Sequence, residues 1–259
     1  MTGSAGVMAL VLAETVAGGV ALLWCTPLWG EVKRGYFTLT GVILTILAFT
    51  AWWAAAAGAI TGNSAGEWSV RLALACAIVT LVWTALQLLK RNAVARVVGF
   101  VSVPVAIATL VALAGSGRQQ EVLALFELLA GAAFLGSVLD GLLLGHWYLT
   151  DRGLARTPIN RATMIMLVAV VVEAIAVVAG GFGGVGSSKA FNPLLTAGAL
   201  APWIALGMVG STALIAVMVK ATLRGARASA VQSATGFFYL AVVTAFTAEV
   251  AVKVRFLPR

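Results

Sequence analysis

Apolar stretches of about 20 residues, each long enough to cross about 30 Å of hydrocarbon as a helix, follow one another along nearly the whole chain. Eight can be marked, at residues 5–28, 36–60, 68–89, 97–115, 121–149, 161–183, 194–219 and 229–252. Of the 259 residues, 61% are hydrophobic and 10% charged, whereas a water-soluble domain carries about 25% charged residues. The expected fold is therefore all-α: a polytopic transmembrane bundle of about eight helices, forming a single integral membrane domain over residues 1–259. So little chain is left between the spans that a soluble catalytic domain has no room.

Charge at the span ends sets the expected orientation, because short cytoplasmic loops collect Lys and Arg. Lys33 and Arg34, then Lys90, Arg91 and Arg96, then Arg152, Arg156 and Arg161, then Lys220, Arg224 and Arg227 follow the odd-numbered spans, eleven of the 17 basic residues. Arg71, Arg118, Lys189, Lys253, Arg255 and Arg259 fall on the other side. Both termini are thus expected outside the cytoplasm, in a cell or inner membrane. Met1 to Gly6 carry no charged side chain, so the first span is expected to remain rather than be cleaved as a signal peptide. Topology and contact with anionic lipid account for the net charge of +8, and nucleic-acid binding is not expected. Trp29, Trp68 and Trp147 lie near span ends, where interfacial aromatic anchors belong. The glycine-rich run from Gly180 to Gly186 is expected to terminate the sixth span.

Leu12-Ala13-Glu14-Thr15-Val16-Ala17-Gly18 in the first span aligns with Leu125-Phe126-Glu127-Leu128-Leu129-Ala130-Gly131 in the fifth. Gly99-Phe100 and Gly236-Phe237 form a second match, each after a basic loop. Spans one and five run the same way, so the expectation is a parallel duplication of four helices, with repeats at 1–115 and 121–252, related by an axis along the membrane normal.

Most of the nine acidic residues fall in loops or near span ends, where water reaches them, and Glu249 is expected to snorkel from the end of the last span. Four do not: Glu14, Glu127, Asp140 and Glu173. Glu14 and Glu127 lie about 14 and about 9 Å below the outer ends of their spans, and Glu173 about 18 Å from the inner end of its own. A carboxylate at such depth is paired, protonated or facing water, which makes proton handling the candidate function and a helix-to-helix hydrogen bond the plain alternative. The single histidine, His146, is six residues beyond Asp140, which turns its side chain about 120° away. It is a candidate quinone contact or an interfacial anchor. One histidine excludes an intrinsic bis-histidine haem. Cys25 and Cys76 form no CxxC pair and read as buried spectator thiols, so no metal site or disulfide is indicated.

Eight spans, both ends outside, a four-plus-four duplication and almost no extramembrane mass together resemble, in architecture, the quinol-interacting membrane anchors of polysulfide and dimethyl sulfoxide reductase type complexes, the NrfD-like family. The resemblance implies a subunit without an intrinsic cofactor that binds quinone between helices, with redox partner subunits carrying the metal centres. A proton-coupled secondary transporter would also use repeated bundles and buried acids. Strongly broken helices would favour it, and Pro104 and Pro202 are the candidate kinks. A structural membrane subunit and an intramembrane enzyme remain as further readings.

Overall fold

The computed structural model describes residues 1–59, 64–116, 120–151, 153–181, 200–225 and 229–254. Eight long helices run through them: α1 (Gly3–Cys25), α3 (Arg34–Gly58), α4 (Ser64–Leu88), α5 (Asn92–Gly115), α6 (Glu121–Thr150), α7 (Thr157–Ala179), α8 (Leu200–Leu223) and α9 (Ser229–Lys253). A one-turn helix, α2 (Leu28–Glu31), joins α1 to α3. All eight are long and apolar enough to span a membrane, and the protein is an all-α, multi-pass integral membrane protein. The membrane side on which α1 begins is called here the start side, and the opposite one the far side.

Several helices outrun the hydrophobic stretches that reveal them. Helix α4 begins at Ser64 and takes in Glu67, and α7 begins at Thr157. The reason is that hydropathy reports the thickness of hydrocarbon, while backbone hydrogen bonding continues into the headgroup layer. Pro104 sits inside a continuous α5, and Pro202 falls in the first turn of α8, where its missing N–H costs nothing. Neither interrupts its helix. Arg118, Arg152, residues 182–186 of the glycine-rich run, Lys189, Arg227, Arg255 and Arg259 lie outside the described residues.

The first four long helices pack in a closed ring, α1 on α3, α3 on α4, α4 on α5 and α5 back on α1. The last four do the same: α6 on α7, α7 on α8, α8 on α9 and α9 back on α6. The two rings join along α1 and α6, flanked by α5 against α6 and α1 against α9. Exchanging the first ring for the second, helix by helix, leaves this set of neighbours unchanged.

Helices in lipid gain little from hiding apolar surface, so close backbone approach through small residues drives their association. The seam shows this directly. A Cβ added to Gly18 would lie 1.8 Å from the backbone oxygen of Ala132, and one on Gly136 would lie 2.4 Å from the backbone of Gly18. The second sequence match does not share a packing role. Gly99 makes room for the Trp24 indole, whereas a Cβ on Gly236 would meet nothing within 4 Å.

Two expectations about surface residues are corrected, those for Cys25 and Glu249. Cys25 is exposed, because α1 ends there, while Cys76 is buried as expected. Trp29 and Trp147 are half-buried, the first stacked on Phe37 with ring centroids 4.1 Å apart and the second seated on Gly35. Trp68 alone of the three is exposed. Glu249 does not snorkel: it is completely buried, for reasons that belong to the site.

Candidate functional site

In the start-side half of the bundle, four carboxyls and an ammonium converge. Helix α1 contributes Glu14, α6 Glu127, α7 Glu173, and α9 both Glu249 and Lys253; none is more than 1% exposed. Lys253 Nζ lies 2.7 Å from Glu14 Oε1 and 3.0 Å from Glu249 Oε2, and it donates to the backbone oxygen of Glu127 at 3.4 Å. Glu127 and Glu173 each lie six residues from the start-side end of their helix, about 9 Å deep at about 1.5 Å per residue.

Local sequence explains why the groups meet. Glu249 and Lys253 are four residues apart, so they share one helical face. Ala241, Ala245 and Ala248, all buried, line the inward side of the same helix and let it sit close to its neighbours. On α6, Gly131 leaves the space that two carboxyls fill. A Cβ there would lie 2.6 Å from Glu14 Oε1 and 2.9 Å from Glu249 Oε2. Glu14 is thus the first ring's contribution to a group otherwise built from the second.

The electrostatics follow from burial. Removing a carboxylate and an ammonium from water costs several kcal/mol for each ion, and pairing with good geometry offsets it. Lys253 supplies that for Glu14 and Glu249. Glu173 is in a different position. Among the described residues neither of its carboxyl oxygens has a hydrogen-bond partner, and the charged groups acting on it are Glu249 and Lys253 on α9 and Glu14 on α1.

Asp140 is set apart from this cluster. It lies on α6 about 20 Å beyond Glu127, buried, and accepts a hydrogen bond from the Tyr36 hydroxyl on α3. His146 is farther still, about 28 Å from Glu127 along α6, exposed, with its Nδ1 3.1 Å from the Tyr239 hydroxyl on α9. No single headgroup can touch both His146 and the glutamates. The segment carrying Tyr36 also ties the two rings together on the far side. Glu31 is held by both outer nitrogens of Arg161 at 2.9 Å each, and Lys33 pairs with Asp151 at 2.9 Å.

The centre of the first ring offers nothing comparable. Its cavity, lined by Ala13, Ala48, Ala51, Ala73, Ala106 and Thr109 among others, amounts to about 10 Å³, room for no more than about one water. Among the described residues, no cluster of three His, Cys, Asp or Glu side chains has metal-binding geometry.

Depth in the span was enough to single out Glu14, Glu127 and Glu173, and the structure brings these three together. It missed Glu249 and Lys253, which are near a helix end but roofed by neighbouring helices. Their sequence signal is the opposite-charge pair at i and i+4 on an alanine-lined face. Comparison of the chain with known protein families, characterised proteins and solved structures finds no match.

Proposed function

We propose that this integral membrane protein handles protons at the Glu14, Glu127, Glu173, Glu249 and Lys253 cluster, as the cofactor-free membrane subunit of a multi-subunit redox complex. The observation that carries the reading is Glu173: a fully buried acid whose two carboxyl oxygens have no hydrogen-bond partner among the described residues. A carboxyl with only a packing role is satisfied by a hydroxyl or amide on a neighbouring helix. Buried ionisable groups in a membrane are costly enough that a functional use is their default reading.

Within this proposal quinone meets the protein on the far side, against His146 and Tyr239, which are exposed at the bundle surface and supply a polar ring nitrogen and a hydroxyl for a carbonyl oxygen. Asp140, about 9 Å away along α6, is the nearer acid for protons of that chemistry. The glutamate cluster serves the start side, which the basic-residue distribution places outside the cytoplasm. The matching neighbour pattern of the two rings supports a parallel duplication with Glu14 and Glu127 as counterparts.

One observation favours the second reading, a proton-coupled transporter: Lys253 and Glu14 link the two rings, and coupling sites of transporters lie where repeats meet. Continuous helices count against it. Purification in mild detergent separates the two. Copurifying iron-sulfur or molybdenum-containing subunits, with turnover that falls in Glu173→Gln while abundance holds, supports the redox reading. A chain that purifies alone and moves protons in vesicles supports the transporter, and Gln variants of the cluster that are fully active in both assays refute proton handling.

A further inference from the structure

We propose that the far-side end of the first ring binds the phosphate of an anionic phospholipid, with Arg34 on α3 and Arg96 on α5 as its principal contacts. The assignment is independent of the proton-handling reading, whose residues lie elsewhere. Four cations gather at this end: Arg34 opens α3, Lys90 and Arg91 lie in the turn between α4 and α5, and Arg96 follows in the second turn of α5. Among the described residues none of the four has a carboxylate partner, and the acids exposed on this side are already engaged, Glu31 by Arg161 and Asp151 by Lys33. Uncharged neighbours hold the two arginines in place. Arg34 Nη1 donates to the backbone oxygen of Gln87 at 3.2 Å, and the Arg96 guanidinium lies over Trp29 at 5.8 Å and over Phe100 at 5.9 Å. Trp29 stacks on Phe37, one turn beyond Arg34, so a single aromatic pair links the two guanidinium groups. Each guanidinium has five N–H groups in a rigid fork, and these contacts leave most of them for an anion. Helices α3 and α5 both begin here without a side-chain cap, which adds the positive ends of two helix dipoles.

The layer beneath the cations is short of hydrogen-bond partners. Gln87, whose carbonyl holds Arg34, is completely buried, and neither its amide oxygen nor its amide nitrogen has a partner among the described residues. One turn back on the same face is Trp83, whose ring lies 5.2 Å from that of Trp24, which in turn lies 4.4 Å from Trp29. The indole N–H of each of these three is buried without an acceptor among the described residues. Buried polar groups are normally satisfied, and a phosphate with its ordered water supplies the acceptor oxygens that the cations and these donors share a need for. The surrounding surface decides the source of the phosphate. Leu88, Leu89, Val94 and Val97 flank the same cations and are exposed, a surface that belongs in hydrocarbon and fits an anion carrying acyl chains. With Glu31 and Asp151 engaged, no carboxylate at this end is free to receive the ammonium of a zwitterionic headgroup, so charge complementarity selects an anionic lipid.

The test uses the whole chain, delipidated in detergent and titrated with phosphatidylglycerol, phosphatidylcholine or inorganic phosphate. Lipid adducts are counted by native mass spectrometry, and tryptophan fluorescence follows the site itself, since Arg96 lies over Trp29. Wild type is expected to hold phosphatidylglycerol more tightly than phosphatidylcholine, and inorganic phosphate is expected not to displace it. The double variant Arg34→Gln, Arg96→Gln is expected to weaken phosphatidylglycerol at least about tenfold, the effect of losing charge-assisted hydrogen bonds. Arg71→Gln, at an exposed arginine on the start side, is expected to leave binding unchanged. Gln87→Leu is expected to weaken binding while raising the melting temperature of the lipid-free protein, because it removes an orphaned amide. Equal binding by the double variant and wild type, or an equal loss in Arg71→Gln, overturns the site, and so does Gln87→Leu that binds as wild type does. Inorganic phosphate that displaces the lipid, or phosphatidylcholine that binds as tightly as phosphatidylglycerol, overturns the assignment to an anionic lipid.

Discussion

Replacing Lys253 with Met keeps most of the volume of the side chain and deletes its ammonium. What remains is Glu14 and Glu249, both fully buried, without the charge now 2.7 and 3.0 Å from their oxygens. Removing one partner of a buried ion pair typically costs about 3–5 kcal/mol, because the stranded charge keeps its desolvation penalty. At 1.36 kcal/mol per decade this is a shift of about two to nearly four decades in the folding equilibrium. Removing the whole set should cost far less. The triple variant Lys253→Met, Glu14→Gln, Glu249→Gln buries no stranded carboxylate at either position and is expected within about 2 kcal/mol of wild type. Stability in detergent, followed by tryptophan fluorescence and by the monodisperse fraction after heating, gives the terms of a mutant cycle. The Lys253→Met penalty should shrink as pH falls, since a protonated carboxyl can remain buried alone. A single variant as stable as wild type at neutral pH, or a triple variant no better than the single, would refute the picture of a desolvated, mutually dependent cluster.

Gly131→Ala alters the site without touching an ionisable group. Its Cβ would stand 2.6 Å from Glu14 Oε1 and 2.9 Å from Glu249 Oε2, so the carboxyls must part, with an expected loss of about 1–3 kcal/mol in thermal unfolding. Arg161→Ala removes a two-pronged pair whose side chains are 30% and 29% exposed; the loss should be no more than about 1 kcal/mol, well below that of Lys253→Met. For orientation, cysteines at Ser64 and Thr157 in a Cys25→Ala background, required because Cys25 is itself exposed, should react with an impermeant thiol reagent at Ser64 and not at Thr157 in intact cells. The reverse labelling overturns the proposed topology.

How much of this was legible in sequence depends on which interactions decide each feature. Span number and helix type follow from solvent alone, since hydrocarbon leaves the backbone no partner but itself, and the eight helices appear where the apolar stretches lie. Depth along a span is also linear in sequence, which is why Glu14, Glu127 and Glu173 stood out. Burial at a helix end is not linear. Glu249 lies four residues from the end of α9, within reach of water on a lone helix, and only the packing of α1 and α6 over it turns that position into an interior. Asp140 was correctly singled out as deep, but its partner, Tyr36, comes from a helix 104 residues earlier, and no spacing rule links them. Trp29 and Trp147 lie near span ends as the sequence suggested, and they are half-buried there because Phe37 and Gly35 offer them apolar seats.

The seam between the rings weighs on the choice between the two functional readings. At its middle, Gly18 and Gly136 bring backbone against backbone, and any slide of α1 along α6 would drive the neighbouring side chains into the gap that glycine keeps open. At its ends the ties differ in kind. The start-side tie, Lys253 to Glu14, is dry, and breaking it strands charge; the far-side ties, Arg161 to Glu31 and Lys33 to Asp151, are wet and can open at little cost. Two halves joined in this way can flex on the far side but are pinned on the other, where the acids are. A transporter must expose its coupling site to both sides in turn, which here requires breaking the dry tie in every cycle. A protein whose two halves stay joined on the start side requires no such step, and the distribution of ties therefore weighs against the transporter reading.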